Sequence, residues 1–100
     1  MEINIAEVIK ALEDTYELEF THNRIFGQWE AWADKNTKVT VSTSTYATND
    51  DREGKAFISV GWDNKKSYAG GGGPCDNIQE VIDYMARFCT KREYTQLSMF

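Results

Sequence analysis

Lys38-Val39-Thr40-Val41-Ser42-Thr43-Ser44-Thr45-Tyr46 is the stretch that decides the fold. Val39, Val41, Thr43 and Thr45 alternate with Thr40, Ser42, Ser44 and Tyr46. β-branched residues in a two-residue period suit a pleated strand with one face inside and one face wet. Outward from it, Asp34-Lys35-Asn36-Thr37 predicts a turn on the N-terminal side, and the polar, acidic Ala47–Gly54 predicts a solvated loop on the other. Two further strands are expected next to these turns, over Ile25–Ala33 and Lys55–Trp62, with Gly27 at a bulge in the former. Tyr16-Glu17-Leu18-Glu19-Phe20 alternates as well and predicts a strand, followed by a turn at His22-Asn23-Arg24. Asp63–Lys66 predicts another turn, with Ser67–Ala69 a short edge.

Helices are expected at both ends. Ile5, Val8, Ile9 and Leu12 recur at helical spacing behind Asn4, and Glu7 follows Asn4 by three residues, so the first helix runs from Asn4 to about Asp14. Ile78, Val81, Ile82, Met85, Phe88 and Cys89 make a second apolar stripe behind Asn77 and Glu80. Arg87, Lys91 and Arg92 fall in its last turns, where they suit the helix dipole. Leu97, Met99 and Phe100 suggest that the tail docks. Gly70-Gly71-Gly72-Gly73-Pro74 predicts a break before the second helix. The expectation is a single α+β domain over residues 1–100, ordered α-β-β-β-β-α, with an antiparallel meander sheet and helices packed on one face.

One hundred residues with 41% hydrophobic content can build one modest core. The net charge is −5, and residues 1–34 carry it: Glu2, Glu7, Glu13, Asp14, Glu17, Glu19, Glu30 and Asp34 stand against Lys10 and Arg24. That balance argues against direct nucleic-acid binding, which needs an excess of Lys and Arg. It fits a basic protein surface as partner, or plain solubility. Two cysteines make no disulfide framework, Met1-Glu2-Ile3-Asn4 has no basic leader, and no apolar run is long enough for a membrane helix, so a cytoplasmic home is expected.

No catalytic pattern is complete. Gly70–Gly73 precede a helix and invite comparison with a phosphate loop, but no Gly-Lys-Ser/Thr follows and Asp76 stands where an anion would sit. Cys75, just before that helix, has the position of an activated thiol, and the one histidine, His22, is its only imidazole base. Asn49–Gly54 has acids in a calcium-loop pattern, yet Val60 occupies the twelfth position. One histidine and two separated cysteines hold no zinc. No cofactor, no metal and no enzymatic activity are expected. Glu13, Asp14, Glu17 and Glu19 would cluster between the first helix and the next segment as a negative patch. Trp29 and Trp32, three apart, point to opposite faces of a regular strand, leaving one for an interface, unless a bulge at Gly27 turns both inward.

The helix from Asn4, the acid-rich Glu13–Glu19 stretch and the closing helix from Asn77 give a layout that resembles small acidic phage-encoded inhibitors, type II anti-CRISPR proteins among them. Toxin-neutralising immunity proteins have a similar general look. The resemblance implies an inhibitor or adaptor that occludes a larger, basic, nucleic-acid-binding protein in a host cytoplasm, and it carries over no functional residue. On the residues themselves, partner binding falls to Glu13, Asp14, Glu17, Glu19, Trp29 and Trp32. A small-ligand or cysteine-based enzyme would use Gly70–Gly73 with Cys75. A homo-oligomer would use Lys38–Tyr46 or the tail.

Overall fold

A computed structural model describes residues 4–46 and 54–91. The expected Ala47–Gly54 loop lies outside these residues except for Gly54, as do Asn49–Glu53, Arg92 and the tail Tyr94–Phe100. The elements are α1 (Ile5–Thr15), β1 (Thr21–Asn23), β2 (Gln28–Trp32), β3 (Thr37–Thr45), β4 (Ala56–Asn64), β5 (Ala69–Cys75) and α2 (Ile78–Met85). The five strands form one antiparallel sheet in the order β1-β2-β3-β4-β5. The fold is thus α+β, a meander framed by helices.

The β3 stretch behaves as its alternation requires. Thr37, Val39 and Val41 are buried while their neighbours face outward. Val39 pairs with Trp62 and Val41 with Val60 on β4, and with Ala31 and Trp29 on β2. Cross-strand pairs on one face are the unit that stabilises a sheet, and here they make a continuous apolar floor. Ala31, Ile58 and Cys75 extend it to either side. Val8 and Leu12 of α1 and Val81 and Met85 of α2 close the core from that face. The helices also pack on each other, and Tyr16 Oη donates to the carbonyl of Ile82 at 2.6 Å.

Both helices start on asparagine. Asn4 Oδ1 accepts from the amides of Ala6 at 3.0 Å and Glu7 at 3.4 Å. Asn77 Oδ1 accepts from Glu80 N at 3.0 Å, while the Glu80 carboxylate accepts from the Asp76 amide and from Asn77 Nδ2. Such reciprocal caps satisfy amides that a helix start leaves open. α2 stops at Met85, earlier than its apolar stripe suggests. Phe88 and Cys89 still pack on the core, but from turns in which both amides return to the Met85 carbonyl. Arg87 and Lys91 therefore lie beyond the helix and not in its last turn.

Three expectations about the strands need correction. Tyr16–Phe20 buries Tyr16 and Leu18 as its alternation demands, yet it is not a strand. The Leu18 amide donates to Tyr16 O and the Phe20 amide to Glu13 Oε2, both at 2.9 Å, so neither is left for a ladder. What remains of pairing is the bridge from Tyr16 to Lys91. His22 and Asn23, expected in a turn, form β1 opposite Trp29 and Gln28. The turn moves to Arg24–Gly27 because Asn23 Oδ1 takes the amides of Ile25 and Phe26, and Gly27 adopts φ +65°. Gly27 is accordingly a turn residue and not a bulge, and β2 is the regular stretch Gln28–Trp32.

The largest correction concerns Gly70–Pro74, which is strand and not a break. These residues pair with Ser59–Asp63 along the sheet edge. Absence of side chains is what lets the edge lie there. A Cβ on Gly72 would come within 2.5 Å of Val60 O, and one on Gly71 would meet Trp62 Nε1 at 3.1 Å. Gly73 has open space around its Cβ position. Gly72→Ala should therefore cost about 1–3 kcal/mol through overpacking, while Gly73→Ala should leave the denaturation midpoint essentially unchanged. Equal midpoints for the two variants in urea titrations would contradict this account of the edge.

Candidate protein-interaction surface

The hairpin of β1 and β2 ends in an apolar tip. Asn23 takes two amides with one carboxamide oxygen, and its Nδ2 donates to Glu30 Oε2 at 3.1 Å. Gln28 Nε2 donates to the same oxygen at 2.7 Å. Lys38 Nζ lies 3.8 Å from Glu30 Oε1. The Glu30 carboxyl is held below its ordinary pKa chiefly by Gln28, with Asn23 and Lys38 adding to the effect against partial burial. This polar brace lies on the sheet face away from the helices and fixes the base of the turn. Ile25 and Phe26 project from it 88% and 73% exposed. Two adjacent large apolar side chains on a braced turn are ready to enter a partner's pocket with little ordering cost.

The segment leading into the hairpin carries Glu17 and Glu19, both exposed. The other two expected patch acids already have local work. Glu13 accepts from the Phe20 amide, and Asp14 pairs with Lys10 at 3.0 Å. Of the four acids, Glu17 and Glu19 stand at the root of the arm whose tip is Ile25-Phe26.

The two tryptophans do face opposite ways. Trp29 lies against the core and stacks on His22, with ring centroids 4.7 Å apart. Trp32 is 46% exposed on the outer face, with Lys65 Nζ 5.0 Å from its ring centroid. Lys65 is placed there by the link from its amide to the Asn36 carbonyl at 2.8 Å, which ties two turns at one end of the sheet. Trp32 and the Ile25-Phe26 tip therefore sit towards opposite ends of β2, and one small partner pocket does not take both.

The sheet order bears on the thiol. β1, with His22, and β5, with Cys75, are the two edges, four strand spacings or roughly 19 Å apart at ~4.8 Å each. His22 is not brought to Cys75. Cys75 is 5% exposed, and burial, with Glu80 and Asp76 nearby, raises the pKa of its thiol. Burial pushes the Cys89 thiol up to about 11. Beside Cys75 lies an open depression of about 260 Å³ lined by Glu80, Asp83, Tyr84 and Arg87. The Tyr84 hydroxyl is buried without a hydrogen-bond partner among the described residues. Among those residues no group of three or more His, Cys, Asp or Glu side chains is arranged to hold a metal, and no helix is long and apolar enough to cross a membrane.

Sequence reasoning missed Ile25 and Phe26 by placing them inside a strand. The signal was present: Asn23 followed at four residues by Gly27 is a turn-forming pair, because asparagine caps local amides and glycine accepts positive φ. Compared with known proteins, the chain matches no family model, no curated protein and no solved structure.

Since the thiolate is the reactive form, both cysteines should react slowly with a disulfide reagent at mildly alkaline pH. The expected rate in the folded protein is at least about tenfold below that of the same chain in denaturant. A Cys75 that reacts as fast folded as unfolded would show an accessible thiol and reverse this assignment.

Proposed function

We propose that this chain is a protein-binding domain, an inhibitor or adaptor that docks on a larger, basic partner through the β1–β2 arm. The observation that carries the reading is the braced, exposed Ile25-Phe26 tip. Hydrophobic anchors at the centre of an interface supply most of its binding energy, and charges around them steer the encounter. The arm has both parts in sequence, with Glu17 and Glu19 at its root and the apolar pair at its end. A basic, nucleic-acid-binding partner fits those acids, since they would compete for the surface that holds phosphates.

The reading separates two kinds of variant. Ile25→Ser with Phe26→Ser removes largely exposed side chains that lie outside the core of the described residues, so stability should stay within about 0.5 kcal/mol. Affinity for a partner captured at near-stoichiometric level should fall at least about tenfold, chiefly through faster dissociation. Glu17→Lys with Glu19→Lys should instead slow association and flatten its salt dependence. Surface-binding kinetics at two ionic strengths read both effects. A captured partner whose kinetics are unchanged by the double serine variant would remove the tip from the interface.

A further inference from the structure

One end of the sheet gathers exposed aromatic rings and lysines on a rigid frame. Two turns meet there, residues 33–36 between β2 and β3 and residues 65–68 between β4 and β5. Each is capped from within. Asp34 Oδ1 accepts from the amides of Asn36 at 2.7 Å and Thr37 at 2.8 Å, and Asn64 Oδ1 from those of Lys66 at 3.0 Å and Ser67 at 2.8 Å. The turns are also tied to each other, by the Lys65 amide on Asn36 O and by Asn64 Nδ2 on Thr37 Oγ1. The backbone that carries Lys35, Lys65, Lys66 and Tyr68 is thereby held before any partner arrives.

The side chains on this frame do little for the fold. Tyr68 is 92% exposed at φ +57°, a conformation that glycine or asparagine takes more readily than a bulky ring, and it belongs to no part of the core of the described residues. Trp32 is exposed beside Lys65. Lys35, Lys65 and Lys66 are exposed, and among the described residues none of them lies in an ion pair, whereas Lys38 is held by Glu30. Residues 33–38 and 63–68 hold four of the chain's eleven Lys and Arg but two of its sixteen Asp and Glu, so the local excess is positive in a chain of net charge −5. One of the two acids, Asp34, is committed to the amides of its own turn. Exposed Trp and Tyr are the side chains that most often anchor an interface, and complementary charge around them selects the partner.

We propose that this end of the sheet is a second interaction surface, which takes a short acidic segment of another protein. Carboxylates of that segment meet Lys35, Lys65 and Lys66, and an apolar residue among them covers Trp32 and Tyr68. A short acidic segment fits better than a nucleic acid. A long polyanion meets the whole chain's negative charge along with the lysines, while a short one feels chiefly the charges within a Debye length of roughly 8 Å. The surface stands on its own residues, independently of what the Ile25-Phe26 tip binds. With both surfaces the chain joins two partners, as an adaptor does.

The probe is an array of peptides of about ten residues graded in Asp and Glu content, with the strongest binder then titrated in solution by fluorescence anisotropy. Binding should rise with acid content among peptides that also carry Leu or Phe. Combined Lys35→Glu, Lys65→Glu and Lys66→Glu should weaken the titrated peptide at least about tenfold, while the same change at Lys10, Lys55 and Lys91, outside these turns, should leave it within about threefold. Trp32→Ala with Tyr68→Ala should weaken it chiefly through faster dissociation. A measurement on the wild-type chain stands beside the variants: the amide NMR signals of Asn36, Lys65, Lys66 and Ser67 should shift on titration, and those of Ile25 and Phe26 should not. The Ile25→Ser, Phe26→Ser variant should bind the peptide as the wild type does, so failure of the tip leaves this surface standing. An array without binders, binding that ignores acid content, or equal loss from both sets of lysines overturns the proposal. So does preference for a labelled oligothymidine of the same length, which assigns the surface to single-stranded nucleic acid.

Discussion

Everything else in this domain is hung on the pairing of β3 with β4. Nine residues on each strand are in register, from Thr37 opposite Asn64 to Thr45 opposite Ala56. The register is set by burial. Val39 and Val41 must share a face with Val60 and Trp62, and a slip of either strand by one residue would turn that strand's apolar pair to solvent. Asn64 reinforces it at one end, donating to Thr37 Oγ1 at 2.8 Å while its own oxygen takes the amides of Lys66 and Ser67. With this pair fixed, β2 and β5 have defined edges to join, and α1 and α2 have a defined floor to cover.

That central part was legible because one signal, alternation in β-branched and apolar residues, decides both conformation and burial. The helix starts were legible for a similar reason: asparagine before an apolar period caps amides wherever it occurs. The misreadings share a different cause. In Tyr16–Phe20 the burial pattern was right and the hydrogen bonding was not, because the Glu13 carboxylate took an amide that a strand would have used. At Asn23 a side-chain oxygen again took two amides and moved a turn by several residues. Alternation reports which way side chains point. It does not report who holds the backbone, and Asp, Asn and Glu compete for that role locally.

The glycine run failed as a breaker for a complementary reason. Glycine is a poor strand former on average because it gives nothing to pack and has much freedom to lose. At Gly72 those averages give way to a contact distance that no side chain satisfies, and at Gly71 to one that is tight. Trp62, which stacks on Phe88 with centroids 5.2 Å apart, uses the space a side chain on Gly71 would fill. Nothing in the order of letters joins Trp62 to Gly71. The link exists only once β4 and β5 are side by side.

The same separation between local work and remaining surface orders the candidate site. Of the four acids clustered in sequence, Glu13 and Asp14 have partners that hold α1 and its exit, while Glu17 and Glu19 are exposed. Of the two tryptophans in β2, Trp29 packs against the core and Trp32 sits under a lysine. Among the described residues Ile25 and Phe26 belong to no part of the core, and yet Asn23, Gln28, Lys38 and Glu30 join in bracing the turn that presents them. A fold that spends four polar side chains on the base of an apolar tip constrains where that tip points. Constraint of that kind lowers the entropy lost on docking and does little for the core, which is why the arm carries the functional reading and the buried cysteine does not.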